Sequence, residues 1–87
     1  MEELKFLHSD DEDIVCLYLN IMQEKYGMDS LIDSLEKEKD FSLKIYRLNP
    51  DNTVKNSYRT NVYGKRDINV AYKDNKFITY SGLLFFT

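Results

Sequence analysis

The chain has 87 residues, 43% hydrophobic and 31% charged, with a net charge of −3, which suits one globular domain over 1–87 and leaves no room for a second. One cysteine, Cys16, excludes an internal disulfide, and together with the one histidine, His8, it is too little for a zinc cluster. No stretch approaches the roughly 18–20 apolar residues of a membrane span, and Met1-Glu2-Glu3-Leu4 lacks the basic flank and apolar run of a signal peptide. The expectation is therefore a cytoplasmic protein with no membrane partner, no metal and no cofactor.

The modest net charge conceals a division at Asp40. Residues 1–40 hold twelve acids against four lysines, a balance of −8, whereas residues 41–87 hold three acids against eight bases, a balance of +5. The same boundary separates two periodicities. Leu4 to Leu7 leaves a short fifth strand open. Ser9-Asp10-Asp11-Glu12 then matches a capping box, with the serine hydroxyl taking a free amide and Glu12 reaching back. After it, Ile14, Leu17, Tyr18, Ile21 and Met22 recur at helical spacing, with Val15 and Leu19 widening the apolar arc and Cys16, Asn20, Gln23 and Glu24 opposite. Gly27 is a left-handed stop. A shorter helix from about Asp29 or Ser30 places Leu31, Ile32 and Leu35 on one face and Asp33, Glu36 and Lys37 on the other.

From Phe41 the pattern becomes that of strands. Phe41, Leu43 and Ile45 alternate with Ser42, Lys44 and Tyr46 until Asn49-Pro50-Asp51-Asn52 breaks the run. A second strand from about Thr53 to Tyr63 alternates Val54, Tyr58 and Val62 with Lys55, Arg59 and Tyr63, and Gly64-Lys65 reads as its turn. Ile68, Val70 and Tyr72 alternate next, and Asp74-Asn75 suits a two-residue hairpin turn before Phe77 to Tyr80. Short connections imply an antiparallel arrangement. The expected fold is α+β, with one or two N-terminal helices packed on one face of a four-stranded antiparallel β-meander: an acidic helical part, 1–40, and a basic sheet, 41–87. Leu83, Leu84, Phe85 and Phe86 are apolar on both faces, so they are either covered within the monomer or sealed against a partner or a second copy in a homodimer.

The patterns that suggest chemistry have simpler explanations. Asp10, Asp11, Glu12 and Asp13 are spread around a helix axis and lack the alternating spacing and glycine of a calcium loop, so metal is not expected there. They complement the helix dipole and offer an acidic contact surface. His8 and Ser9 are adjacent, but no G-x-S-x-G turn exposes the serine, and Cys16 has no basic neighbours to lower its pKa. The three glycines, Gly27, Gly64 and Gly82, are too scattered for a phosphate loop. No enzymatic activity is expected.

Two surfaces remain. The acidic helical layer suits docking on a basic groove of a larger protein or nucleoprotein complex. The wet sheet face is expected to display Lys44, Tyr46, Lys55, Arg59, Tyr63, Asn69 and Lys73, with Tyr46, Arg59 and Tyr63 as anchors; cations among rings also suit single-stranded nucleic acid. No motif matches a named family. In size and in its tyrosine- and asparagine-rich composition the chain resembles small proteins of phages and mobile elements of AT-rich bacteria, many of which inhibit a host enzyme or a defence complex such as a CRISPR effector. That resemblance implies a non-catalytic inhibitor or modulator, an anti-CRISPR being one example, acting in the bacterial host cytoplasm, and it assigns no residue. The alternatives are a single-stranded nucleic-acid or RNA-binding domain and a self-associating accessory subunit.

Overall fold

The computed structural model describes residues 2–80. A 3-10 helix, Glu2–His8, leads into α1, Glu12–Tyr26, and α2, Met28–Glu36; β1, Phe41–Leu48, β2, Val54–Arg59, β3, Arg66–Lys73, and β4, Lys76–Thr79, follow. The helical half thus precedes the sheet half, and the class is α+β. The first segment is helical and not a fifth strand. Leu7 is fully buried, and Glu3 accepts hydrogen bonds from Tyr26 Oη at 3.1 Å and Lys25 Nζ at 3.3 Å, which ties this turn to the end of α1.

The cap of α1 sits two residues beyond the predicted box. Asp11 holds the extended N-cap conformation and its Oδ1 accepts from the Asp13 amide at 2.9 Å, while Ser9 Oγ accepts from the Asp11 amide at 3.1 Å. Asp11 thus satisfies a first-turn amide, and Ser9 takes the amide of the cap residue itself. Gly27, at φ 90°, ends α1 and starts α2, and its amide donates to the Gln23 carbonyl at 2.9 Å. Only a residue without a Cβ takes that φ cheaply.

The apolar face of α1 is rotated from the predicted one. Val15, Cys16, Leu19 and Met22 are buried, whereas Ile14, Leu17 and Ile21 remain 37%, 54% and 39% exposed. At 100° per residue these rows lie on roughly opposite sides of the helix. Asn20 and Gln23, expected on the wet side, face the sheet. Asn20 Nδ2 donates to the Phe77 carbonyl at 2.9 Å and Oδ1 accepts from the Phe77 amide at 2.7 Å, while Gln23 Nε2 donates to the Asn75 carbonyl at 2.8 Å and Oε1 accepts from Tyr72 Oη at 2.8 Å. The Asn20 amide supplies β4 with the donor and acceptor that a neighbouring strand would offer.

The sheet is mixed, in the order β2-β1-β3-β4, and not an antiparallel meander. β1 and β2 form the predicted hairpin, with Asn52 at φ 71° and its amide donating to the Asn49 carbonyl at 2.9 Å. β3 and β4 form the other, through Asp74 and Asn75 at φ 53° and 65°, the left-handed pair that such a turn demands. The surprise is the connection between them. The strand predicted to run to Tyr63 stops at Arg59, and residues 60–65 carry the chain around the start of β1, so that β3 pairs with β1 in parallel from Phe41↔Arg66 to Arg47↔Tyr72.

Two residues enforce this passage. Gly64 runs against β1 so closely that a Cβ would stand 2.2 Å from the Phe41 carbonyl carbon, and Asn61 Nδ2 donates to the Glu38 and Phe41 carbonyls at 2.8 and 3.2 Å. Gly64 therefore serves close approach, not a hairpin turn. The core forms between α1, α2 and one sheet face carrying Phe41, Leu43, Ile45, Ile68, Val70 and Phe77. Val54 and Val62, predicted to join that face, are 52% and 68% exposed, because the register shift pairs Val54 with Leu48 on the other face and Val62 lies in the crossover.

Candidate functional site

The outer side of α1 combines charge with uncovered apolar surface. Ile14, Leu17 and Ile21 form a stripe, Phe6 of the 3-10 helix stacks on Tyr18 at 4.1 Å to extend it, and the exposed acids Asp13 and Glu24 border it. Sequence periodicity had assigned this stripe to the core. It is a candidate surface missed by that reading, and the available signal was that apolar residues of α1 occupy more than one helix face.

The four predicted acids have separate tasks. Asp10 pairs with Arg66 at 3.2 Å, Asp11 caps the helix, Glu12 is an exposed first-turn residue, and Asp13 is exposed beside the stripe. Arg66 also donates to the carbonyls of His8 and Ser9 at 2.7 and 3.1 Å, so β3 grips the junction between the 3-10 helix and α1. Apart from this link, the ion pairs found among the described residues stay within their own half: Lys25 with Glu3, Lys37 with Asp33, His8 with Asp40, and Arg59 with Asp67. The two halves keep opposite charge.

On the sheet face away from the helices, Lys44 and Arg59 are directly opposed in the β1–β2 register, and Asp67 takes the Arg59 guanidinium at 3.3 Å. Without that carboxylate two cations would face each other. Lys44 Nζ lies 5.1 Å from the centre of the Tyr46 ring, and Tyr46 stacks on Tyr80 at 4.2 Å with 13° between planes. Tyr80 was not foreseen in this cluster. Lys73 reaches Asn52 Oδ1 at 2.7 Å. Lys55 falls where the β1–β2 register slips, so it has no counterpart on β1. Tyr63 is separated from this cluster: it lies in the crossover, 89% exposed, beside a shallow groove of about 620 Å³ bordered by Glu36, Lys37, Lys39 and Lys65. Leu83, Leu84, Phe85 and Phe86 lie outside the described residues.

The remaining nucleophile candidates are engaged elsewhere. Ser9 Oγ accepts the Asp11 amide, and the His8 ring meets the edge of Phe41 at 5.5 Å. Burial, followed by the charges of Asp13 and Glu12, pushes the Cys16 thiol up to about 11, the opposite of activation. Among the described residues no group of three or more His, Cys, Asp or Glu is placed to hold a metal ion, and no helix is long and apolar enough to cross a membrane. Compared with protein-family models, curated proteins and solved structures, the chain shows no match.

Proposed function

We propose that the chain is a small non-catalytic binding module that inhibits or modulates a larger protein, docking through the outer side of α1. The observation that carries this reading is the exposed Ile14–Leu17–Ile21 stripe bordered by Asp13 and Glu24. Uncovered aliphatic side chains supply apolar burial, and acids around them select a basic surface and speed encounter. A standard interface takes about 800 Å² from each partner, a modest share of the 5688 Å² surface here. Grooves that hold nucleic acid are basic, which makes a nucleic-acid-processing or defence complex the fitting class of target; the compositional resemblance to phage and mobile-element inhibitors, anti-CRISPR proteins among them, points the same way.

The test is co-purification of the tagged chain from its native host beside Leu17→Glu and Asp13→Lys variants, with mass spectrometry of the bound proteins. A partner held by the wild type, lost with Leu17→Glu and weakened by salt is the expected result. An identical bound set for all three chains would overturn the proposal.

Lys44, Arg59 and Tyr46 on one sheet face favour a second reading, single-stranded nucleic-acid binding. Tyr46 already spends one ring face on Tyr80, which leaves less room for a stacked base. This reading requires a labelled oligonucleotide to shift at low salt with protein at about 50 μM, inside the range of non-specific binding. It further requires Arg59→Ala to abolish that shift.

A further inference from the structure

The two edges of the sheet are treated differently. At β4, the side-chain amide of Asn20 satisfies both the amide and the carbonyl of Phe77, and Gln23 takes the Asn75 carbonyl, so the helix occupies that edge at Phe77 and the turn before it. At β2, all six residues are exposed and β1 is the only described strand beside it. The phase of the ladder identifies which groups point outward. Thr60 donates its amide to the Leu43 carbonyl at 2.9 Å, and in antiparallel pairing the bonded and non-bonded positions alternate. Tyr58 and Asn56, opposite Ile45 and Arg47, therefore bond to β1, whereas Ser57 and Arg59 turn their amides and carbonyls to the open side.

We infer that β2 is a strand-addition site that accepts an extended acidic segment of another protein, independently of the α1 surface. The backbone of Ser57 and Arg59 provides the pairing groups. Charge selects the occupant. Arg59, which Asp67 contacts at 3.3 Å, and the exposed Lys55 at the register slip stand on either side of Ser57, so a strand laid antiparallel about Ser57 brings the residues two before and two after its central position alongside these cations. An acid at one of these positions pairs with Lys55, and an acid at the other shares Arg59 with Asp67. The same cations oppose pairing with a second copy about Ser57, because Lys55 would face the Arg59 of that copy. Positive charge on an edge guards against self-association and leaves an acidic strand as the complementary guest.

The probe is an eight-residue peptide with valine and threonine between two glutamates spaced four apart, compared with the same peptide carrying lysines. Amide hydrogen exchange of the whole chain supplies the readout. Bound glutamate peptide is expected to slow exchange at Ser57 and Arg59 about tenfold while leaving Asn56 and Tyr58, already bonded to β1, nearly unchanged. Ser57→Pro removes one outward donor without taking a bond from β1, so it should keep the melting temperature and lose most of the peptide affinity. Four results would each overturn the inference: no protection at Ser57 and Arg59; equal binding of the lysine peptide; undiminished binding to a folded Ser57→Pro chain; or protection that rises with protein concentration in the absence of peptide, which would assign the edge to a second copy.

Discussion

Replacing Asn20 by leucine isolates what the α1 amide does for the sheet. The two side chains are similar in length, so the change removes one donor and one acceptor with little disturbance of volume. Phe77 then loses the partners of its amide at 2.7 Å and its carbonyl at 2.9 Å. A hydrogen bond contributes about 1 kcal/mol net, and a partly buried group left unpaired costs somewhat more, so the expected loss is about 2–3 kcal/mol. For a domain of this size each kcal/mol lowers the melting temperature by about 4–8 °C, giving a drop of at least about 8 °C. Chemical denaturation should show a lower midpoint at unchanged slope, and exchange at Phe77 should accelerate. Asn20→Asp provides a second reading of the same contact. A carboxylate keeps the bond from the Phe77 amide but confronts the Phe77 carbonyl, which raises the pKa of the new carboxyl; the variant should regain stability as pH falls and that group protonates. A melting temperature within about 2 °C of wild type for Asn20→Leu, with unchanged exchange at Phe77, would refute the strand-like role of the amide.

Gly64→Ala should destabilise the chain by about 3 kcal/mol or more, because the new methyl meets the backbone of β1 at 2.2 Å and backbone cannot yield as a side-chain tip does; thermal melting checks it. Leu19→Ala should cost about 2–5 kcal/mol, whereas Leu17→Ala should change stability by less than about 0.5 kcal/mol while weakening partner capture, a contrast that denaturation and co-purification read together. The Cys16 thiol, raised from 9.0 to about 11, should label slowly in the native state at pH 8. Its folded pKa exceeds the unfolded one, so its contribution is fully present below pH 9 and is lost as pH rises through about 11. Cys16→Ala should therefore show a shallower alkaline decline than wild type in urea melts repeated from pH 8 to 11, and equal declines would refute the raised thiol.

The two candidate surfaces ask different things of the fold. The α1 stripe is rigidly presented, since Val15, Leu19 and Met22 anchor the reverse side of the same helix in the core. Side chains already held by such a helix lose little conformational freedom on docking. The β2 edge instead offers backbone groups, whose recognition depends on an extended partner and little on its exact apolar side chains. Charge separates their guests: acids border the helix and cations flank the edge.

The sequence by itself determined the features governed by neighbouring residues. The break at Gly27, the turn at Asn49 to Asn52 and the hairpin at Asp74-Asn75 follow from local backbone preference, and each occurs where the residue types demand it. Helices before strands, and acids before bases, follow equally from local pattern. Tertiary structure alone decided which of two apolar rows on α1 is buried, because periodicity reports that a row is apolar and not what stands opposite it. It also decided the strand order, since the parallel pairing of β3 with β1 depends on Asn61 reaching carbonyls twenty or more positions away and on Gly64 passing against Phe41. Asn20 reads as a wet residue until Phe77, 57 positions later, presents the backbone groups it satisfies. Long-range contacts of this kind settle only when the chain has collapsed, and among the described residues they left the α1 stripe and the β2 edge exposed.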